Sequence, residues 1–263
     1  RVVNTILLYA KQKKLTALVA EQIYEKERRS SLMIDILSHI VEFRNGESGL
    51  HVRHVHTLTE LLLKTLVQKT DRYHLSQTDI SVISTASALH DVGKIAIPEE
   101  ILNKPGRFTE EEFAIMKDHS KIGAEMLKDL PAYQDEPLMK AAYEICRWHH
   151  ERWDGRGYPD GLKGDEIPIS AQMVALADVY DALTSERVYK PAFTHEQAVD
   201  MILRGECGEF NPLVLECLRD SAPAIPEELS HDDGLRQSHR EMQNIARELH
   251  KHEELTASER TLE

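Results

Sequence analysis

A histidine and an aspartate stand next to each other at His90 and Asp91, and Gly93 and Lys94 follow closely. Imidazole nitrogens and carboxylate oxygens are both good ligands for divalent metal ions, and a glycine beside them permits a sharp turn. Because a carboxylate can bridge two ions, Asp91 is the natural centre of a site that holds more than one metal. The pair therefore predicts metal-assisted chemistry, with a lysine close by.

Other histidines and carboxylates could complete such a site, although a single histidine is more often an ordinary core or surface residue than a ligand. Asp178 interrupts an apolar helical face, where a carboxylate is costly unless it is paired or bound to metal. Imidazole and carboxylate together favour Fe, Mn, Zn or Ni over Ca and Mg, which prefer oxygen ligands alone. The candidate ligands are Glu47, His51, His90, Asp91, His119, His149, His150 and Asp178.

Helices must position these residues, because apolar residues recur at helical spacing and no alternating strand pattern of useful length occurs. We therefore predict an all-α fold. Ser76 with Asp79, and Thr109 with Glu112, are capping patterns that start two helices. Residues 151–168 are rich in Gly and Pro and predict a loop. Among the expected helices are residues 76–89, 169–185, 194–203 and 212–219.

Three regions are expected along the chain. Residues 1–43 predict a long helix that connects domains and forms a homodimer, with two shorter helices packed on the domain as the alternative. Residues 44–220 form the catalytic domain, and residues 221–263 form a polar tail with a short amphipathic helix. Because the first residue is Arg and not Met, we expect a longer protein with a further domain upstream.

The composition limits the classes of function. The chain has 263 residues, of which 41% are hydrophobic, and this is enough for a substantial core. Its formal net charge of -13 leaves no basic excess for DNA or RNA binding. The 3 cysteines form no CxxC pair, and no apolar run approaches the roughly 20 residues of a membrane span. A cytoplasmic location is expected.

Three stretches, in this order, resemble the HD superfamily of metal-dependent phosphohydrolases and, within it, the HD-GYP family. They are His-Asp-Val-Gly-Lys at 90–94, His-His-Glu-Arg-Trp-Asp-Gly-Arg-Gly-Tyr-Pro at 149–159, and Ala-Leu-Ala-Asp-Val-Tyr-Asp-Ala-Leu-Thr-Ser at 175–185. The resemblance implies an HD-domain helical bundle that hydrolyses the bacterial messenger cyclic di-GMP. The expected products are the linear dinucleotide pGpG and, on further cleavage, GMP. Such domains are commonly joined to receiver or other sensory domains of bacterial signalling systems, including two-component systems, so the resemblance implies a domain of this kind upstream.

Two metal ions, in sites that share Asp91, are implied by the resemblance, and Fe or Mn are the expected metals, with Zn or Ni as alternatives. The expected reaction is in-line attack on phosphorus by a hydroxide held between the ions. Glu47 stands one helical turn before His51 and matches a position that holds a third metal in some members, so two or three ions are expected. The first site would contain His51, His90, Asp91 and Asp178, and the second Asp91, His119, His149 and His150.

The resemblance also implies contacts with the substrate. Asp91 and Lys94 are the expected catalytic residues, and Lys94 would contact the phosphate near the metals. Arg187 and Lys190 resemble a pair that grips a nucleotide phosphate, which arginine can do with two parallel hydrogen bonds. The Gly-Tyr-Pro loop would shape the substrate pocket or a surface for a signalling partner, with a plain structural turn as the alternative. Its residues are Gly157, Tyr158 and Pro159.

The sequence is also compatible with two other functions. A module that senses the nucleotide or docks a partner without turnover could have the same fold. The other function is hydrolysis of another nucleotide, such as a different cyclic dinucleotide or a nucleoside triphosphate. The complete set of metal ligands favours an enzyme, and the Gly-Tyr-Pro stretch favours cyclic di-GMP as the substrate within this family.

Overall fold

The computed structural model describes residues 12–14, 32, 36, 40, 41, 44, 50–185 and 191–230. Throughout these ranges the regular structure is helical and contains no strand, so the predicted all-α class is confirmed. Three 3-10 helices, Val92–Ala96, Pro131–Tyr133 and Gly164–Glu166, lie between the α-helices. The α-helices are α1 His51–Lys69, α2 Gln77–Ser87, α3 Glu99–Leu102, α4 Glu110–Lys128, α5 Pro137–Trp148, α6 Ile169–Thr184, α7 His195–Leu203 and α8 Pro212–Ser221.

Helices α1 and α6 form the centre of the bundle. Helix α1 packs against α2, α6 and α8, and α6 also packs against α5 and α7. Every residue of α6 from Ser170 to Ala177 is buried. Each fully buried leucine of α1 stabilises the bundle by roughly 1.5–3 kcal/mol relative to an exposed one. This packing fixes the start of α1 against the second half of α6. The largest buried side chains of the two helices are Leu58, Leu62, Leu63, Leu66, Met173 and Leu176.

A close contact holds the 3-10 helix Val92–Ala96 against α4. A Cβ atom added at Gly93 would lie 1.9 Å from the backbone oxygen of His119, and one added at Gly123 would lie 2.4 Å from Cys146 Sγ. Only glycine fits at either position without movement of a neighbour. The residues that follow Asp91 can therefore lie directly on α4 beside His119.

Local sequence signals explain several helix ends. Both predicted capping boxes are present, Ser76 with Asp79 at the start of α2 and Thr109 with Glu112 at the start of α4. The prediction that α2 reaches residue 89 is wrong, because the helix ends at Ser87 and continues as a turn with hydrogen bonds of shorter span. The predicted loop over 151–168 is confirmed, apart from the 3-10 helix Gly164–Glu166.

Several expectations fall on residues that the structure does not describe. They are Glu47, Arg187, Lys190, most of the expected connecting helix over 1–43 with its dimer contact, and the amphipathic segment of the tail beyond 230. Residues 12–14, 32, 36, 40 and 41, which belong to the first of these regions, are helical. Of the helices within the described ranges, none has both the length and the apolar character needed to cross a membrane.

Candidate metal centre

Two clusters of ligand atoms meet inside the bundle, and in each cluster the atoms lie within 4.8 Å of one another. Asp91 connects the clusters, because its Oδ2 lies 3.3 Å from His90 Nε2 and its Oδ1 lies 3.2 Å from His119 Nε2. The structure thus brings together every candidate ligand that it describes. The first cluster contains His51, His90 and Asp178, and the second contains Asp91, His119, His149 and His150.

The candidate ligands come from five parts of the fold. His51 is the first residue of α1, and Asp178 lies in the second half of α6. His119 lies within α4, where it faces the 3-10 helix that follows Asp91. Helix ends supply the remaining ligands, because a chain that leaves a helix can turn adjacent side chains toward one point. These are His90 and Asp91 after α2, and His149 and His150 after α5.

Backbone carbonyl groups fix the tautomers of the histidine rings. His90 Nδ1 lies 2.8 Å from the oxygen of Ser87, and His119 Nδ1 lies 2.7 Å from the oxygen of Met116. His149 Nδ1 makes the same kind of contact in the last turn of α5. Because a carbonyl oxygen can only accept a hydrogen bond, each Nδ1 carries the proton and each Nε2 presents a lone pair to the centre.

Asp181 supports the first cluster from behind. Its Oδ2 accepts a hydrogen bond from His51 Nδ1 at 2.7 Å, and its Oδ1 accepts one from His54 Nδ1 at 2.6 Å. Burial alone would raise the pKa of this carboxyl, but the hydrogen bonds from the two histidines outweigh it and lower the pKa well below its ordinary value. The ionised carboxylate holds His51 with Nε2 toward the cluster.

The spacing of residues in the sequence contains a signal for Asp181. Asp178 and Asp181 have the spacing that places two side chains on one face of a helix, and so do His51 and His54 on α1. His51 and Asp178 belong to the first cluster. His54 and Asp181 form a hydrogen bond with each other behind it.

The Nε2 atoms of neighbouring rings lie close together. His51 Nε2 is 3.3 Å from His90 Nε2, and His119 Nε2 is 3.5 Å from His149 Nε2. Lone pairs that point at each other repel unless a proton or a cation lies between them. With a carboxylate in each cluster, this donor set fits a divalent transition metal ion in each position.

Charge and burial set the ionisation of the shared carboxylate and of two rings. Burial would raise the pKa of Asp91, but the Lys94 ammonium, 2.5 Å from Asp91 Oδ2, holds it well below its ordinary value. Burial lowers the pKa of His149 to about 3 and the pKa of His150 well below its ordinary value. Both rings are therefore neutral at neutral pH, the form that binds metal.

The ring of Tyr158, in the Gly-Tyr-Pro loop, packs on a ligand residue. It lies 4.7 Å from the ring of His150 with a tilt of 31°. Its other ring neighbour is Phe113 on α4, at 6.4 Å in an edge-to-face arrangement. Pro159 follows through a cis peptide bond. Burial raises the pKa of the Tyr158 hydroxyl, so this group keeps its proton.

Glu151 anchors the same loop to the ligand segment. Its Oε1 accepts hydrogen bonds from the backbone nitrogens of Asp160, at 2.7 Å, and Gly161, at 3.0 Å. Gly157 lies so close to this segment that an added Cβ atom would approach Glu151 Cα to 2.4 Å. The loop is thus built directly on the residues that follow His150.

Arg44, which the sequence did not single out, contacts the 3-10 helix that carries Lys94. Its guanidinium donates hydrogen bonds to the backbone oxygens of Lys94 at 3.3 Å and Ile97 at 2.9 Å, and also to that of Ile95. Hydrogen bonds from a charged donor are about twice as strong as neutral ones. They fix the backbone that supports the ion pair between Lys94 and Asp91.

Comparison with known proteins identifies a family and several relatives to which this chain is similar. The HD domain family matches residues 31–210. A Vibrio cholerae protein named probable cyclic di-GMP phosphodiesterase is 41% identical over 196 residues, which are 73% of this chain and 44% of that protein. Another Vibrio cholerae protein, named 3'3'-cGAMP-specific phosphodiesterase 2, is 42% identical over 182 residues, 69% of this chain and 33% of that protein. The chain spans less than half the length of either relative.

A solved structure shares the fold. The crystal structure of a cyclic GMP-AMP specific phosphodiesterase of Vibrio cholerae superposes with a TM-score of 0.54 at 18% sequence identity. The superposition covers 76% of this chain and 50% of the other. At this identity the likeness concerns the helical architecture alone.

Proposed function

This chain belongs to the HD domain family and, within it, to the HD-GYP group, and we propose that it is a metal-dependent phosphodiesterase that hydrolyses cyclic di-GMP. The observation that carries this proposal is the pair of ligand clusters joined by the Asp91 carboxylate. Cleavage of a phosphodiester needs a strong nucleophile and neutralisation of charge on the phosphate, and such a centre suits both needs.

Two divalent ions are the proposed cofactors, and Fe or Mn suit the mixed histidine and carboxylate ligands. When bound, such ions lower the pKa of water and neutralise charge on a phosphate. Glu47 is proposed as a ligand of a third ion. The proposed ligands of the two ions are His51, His90, Asp91 and Asp178 for the first, and Asp91, His119, His149 and His150 for the second.

The protein's own groups would hold and orient the substrate. Lys94 Nζ, beside the carboxylate that joins the clusters, is proposed to donate a hydrogen bond to an oxygen of the scissile phosphate. Arg187 and Lys190 are proposed to bind a phosphate of the same substrate. Asp181 keeps the His51 ring in one orientation, so that no reorganisation of this ligand is needed when the substrate binds.

A second candidate substrate is 3'3'-cGAMP. The relative named for that nucleotide is as similar to this chain as the relative named for cyclic di-GMP, at 42% and 41% identity. Both nucleotides would present the same phosphodiester to the metal centre, so the choice between them depends on contacts with the bases.

The test is product analysis with metal-loaded protein. We expect protein loaded anaerobically with Fe(II) or Mn(II) to convert cyclic di-GMP to pGpG, detected by chromatography, and faster than it converts an equal concentration of 3'3'-cGAMP. Asp91→Ala should lose at least 100-fold in rate, together with one metal ion or more, because the shared ligand is gone. Asp135→Ala, which changes an exposed aspartate, is the matched control.

Other outcomes of these experiments would contradict or change the proposed function. Full turnover by Asp91→Ala would refute the proposed centre. Binding of cyclic di-GMP without product, whichever metal is supplied, would make the chain a sensing module. A faster reaction with 3'3'-cGAMP would select the second substrate. Elemental analysis of wild type and Glu47→Ala tests the third ion, and equal metal content in the two would exclude it.

A further inference from the structure

We propose that Phe113 and Lys117 of α4 form a nucleotide subsite beside the second metal cluster, in which Phe113 stacks on a base and Lys117 binds a phosphate. The inference rests on the proposed phosphodiesterase function and adds the position of the half of the substrate that is not being cleaved. Neither residue lies in a motif that marks the metal centre.

A row of aromatic rings leads from the metal cluster to the surface. The ring of His119 lies 5.0 Å from that of His150, and the ring of His150 lies 4.7 Å from that of Tyr158. Phe113 ends the row, 6.4 Å from Tyr158 at an interplanar angle of 82°. It is 46% exposed, so part of this ring is open to a ligand. The row thus presents an open aromatic surface next to the metal ligands.

A positive charge lies on the same surface. Lys117 Nζ is 5.2 Å from the centre of the Phe113 ring and 5.8 Å from the centre of the Tyr158 ring. Phe113 and Lys117 are one helical turn apart on α4, so they share a face of the helix. These two contacts place the ammonium group near the outer end of the row.

The chemistry of a cyclic dinucleotide matches this surface. Such a molecule carries two phosphates and two bases, and only one phosphate can occupy the metal centre at a time. The second phosphate remains anionic in a protein whose formal net charge is -13, so it needs a local cation. Every base has a π-face that can stack on an aromatic side chain, and a lysine is a good phosphate ligand. Phe113 and Lys117 supply both groups side by side.

Kinetics with two substrates distinguish this role from simple support of Tyr158. In the metal-loaded full chain, Phe113→Ala should reduce kcat/KM for cyclic di-GMP about tenfold or more through a higher KM. It should leave the hydrolysis of an abasic ribose dinucleotide, a phosphodiester with no aromatic ring, within about twofold. Phe113→Trp should restore the lower KM. Ile115→Ala, at a residue that is 40% exposed on the same helix, is the control.

Binding supplies a measurement that needs no turnover. By calorimetry, Phe113→Ala should weaken the binding of GMP at least fivefold and leave ribose 5-phosphate unchanged, because only GMP carries a base. Lys117→Gln should raise KM for cyclic di-GMP and make KM less sensitive to salt, because one charge contact is lost.

Two results would contradict the proposed subsite, and both can be told apart from a failure of the proposed phosphodiesterase function. Equal losses of activity in Phe113→Ala with cyclic di-GMP and with the abasic ribose dinucleotide would mean that the ring acts only through the packing of Tyr158. An unchanged KM for cyclic di-GMP and unchanged GMP binding would mean that no base lies on Phe113. If wild type hydrolyses no cyclic dinucleotide, the proposed function fails first, and the inference fails with it.

Discussion

At the scale of single residues, the metal centre depends on a carboxylate that does not belong to either cluster. Asp181 is 1% exposed and accepts hydrogen bonds from both His51 and His54. A histidine that binds metal through Nε2 needs a partner at Nδ1, because this partner fixes the tautomer and makes the ring more basic. His90 and His119 receive that support from backbone carbonyls, whereas His51 receives it from a charged side chain. One substitution, at Asp181, can therefore remove this support from His51.

Asp181→Asn should lower metal affinity or activity by about 10- to 100-fold, while the helical fold remains. The amide has nearly the shape of the carboxylate, but it carries no charge and offers one acceptor in place of two. Metal affinity can be measured by competition with a chelator, and the fold by circular dichroism. Asp200→Asn, which removes an exposed ion pair with Arg204, is the control. Wild-type affinity in Asp181→Asn would show that the hydrogen bond to His51 needs no charge.

At the scale of elements, the position of Asp91 depends on the close approach of the 3-10 helix Val92–Ala96 to α4. Gly93 makes this approach possible, and Arg44 holds the far side of the same segment through its carbonyl groups. His119 projects from α4 at the point of contact, so the distance between Asp91 and His119 follows from the packing of the two helices. The second cluster is therefore sensitive to volume at Gly93.

Gly93→Ala should destabilise the fold by about 1–3 kcal/mol, the usual cost of an overpacked contact, and should also reduce metal content. The added Cβ atom cannot stay 1.9 Å from the oxygen of His119, so Asp91 and His119 must separate. Urea unfolding and elemental analysis measure the two effects. Gly106→Ala, where no atom lies within 4 Å of the added Cβ but φ is +140°, should reduce stability and leave metal content unchanged. Normal metal content in Gly93→Ala would show that the segment can shift without loss of the cluster.

At the scale of the whole molecule, the candidate metal centre connects most of the bundle. Its candidate ligands come from α1, α4 and α6 and from the ends of α2 and α5. An ion that binds them binds only the folded chain, because the unfolded chain does not hold these residues together. Metal binding should therefore add to the stability of the bundle as a unit.

Removal of metal should lower Tm. An ion present at 100 times its Kd stabilises the fold by about 2.7 kcal/mol, and for a domain of this size that corresponds to roughly 5–10 °C. Calorimetry of chelator-treated and metal-loaded protein measures the shift. Asp91→Ala, which lacks the shared ligand, should show a smaller difference between the two states. The same Tm with and without metal would mean that the clusters do not bind ions in the folded protein.

The sequence predicted the parts of this structure that depend on neighbouring residues. Ser76 with Asp79 is one such case, because a capping box needs only one turn of chain. The role of Asp181 could not be predicted in this way. Its partner His51 is 130 residues away along the chain, and only the packing of α6 on α1 brings them together. Phe113 is a similar case, because its neighbour Tyr158 lies in a distant loop and only the fold brings the two rings together.

The distances along the chain between ligands imply an order in which the centre can assemble. His119 lies on α4 and His149 directly follows α5, 30 residues later, and only a short 3-10 turn separates these two helices. His51 and Asp181 are 130 residues apart. The entropy lost when a loop closes grows with its length, by about 0.6 kcal/mol for each doubling, so the α4–α5 pair can form before α6 reaches α1. The first cluster therefore marks completion of the fold, whereas the histidines of the second can meet in a chain that is only partly folded.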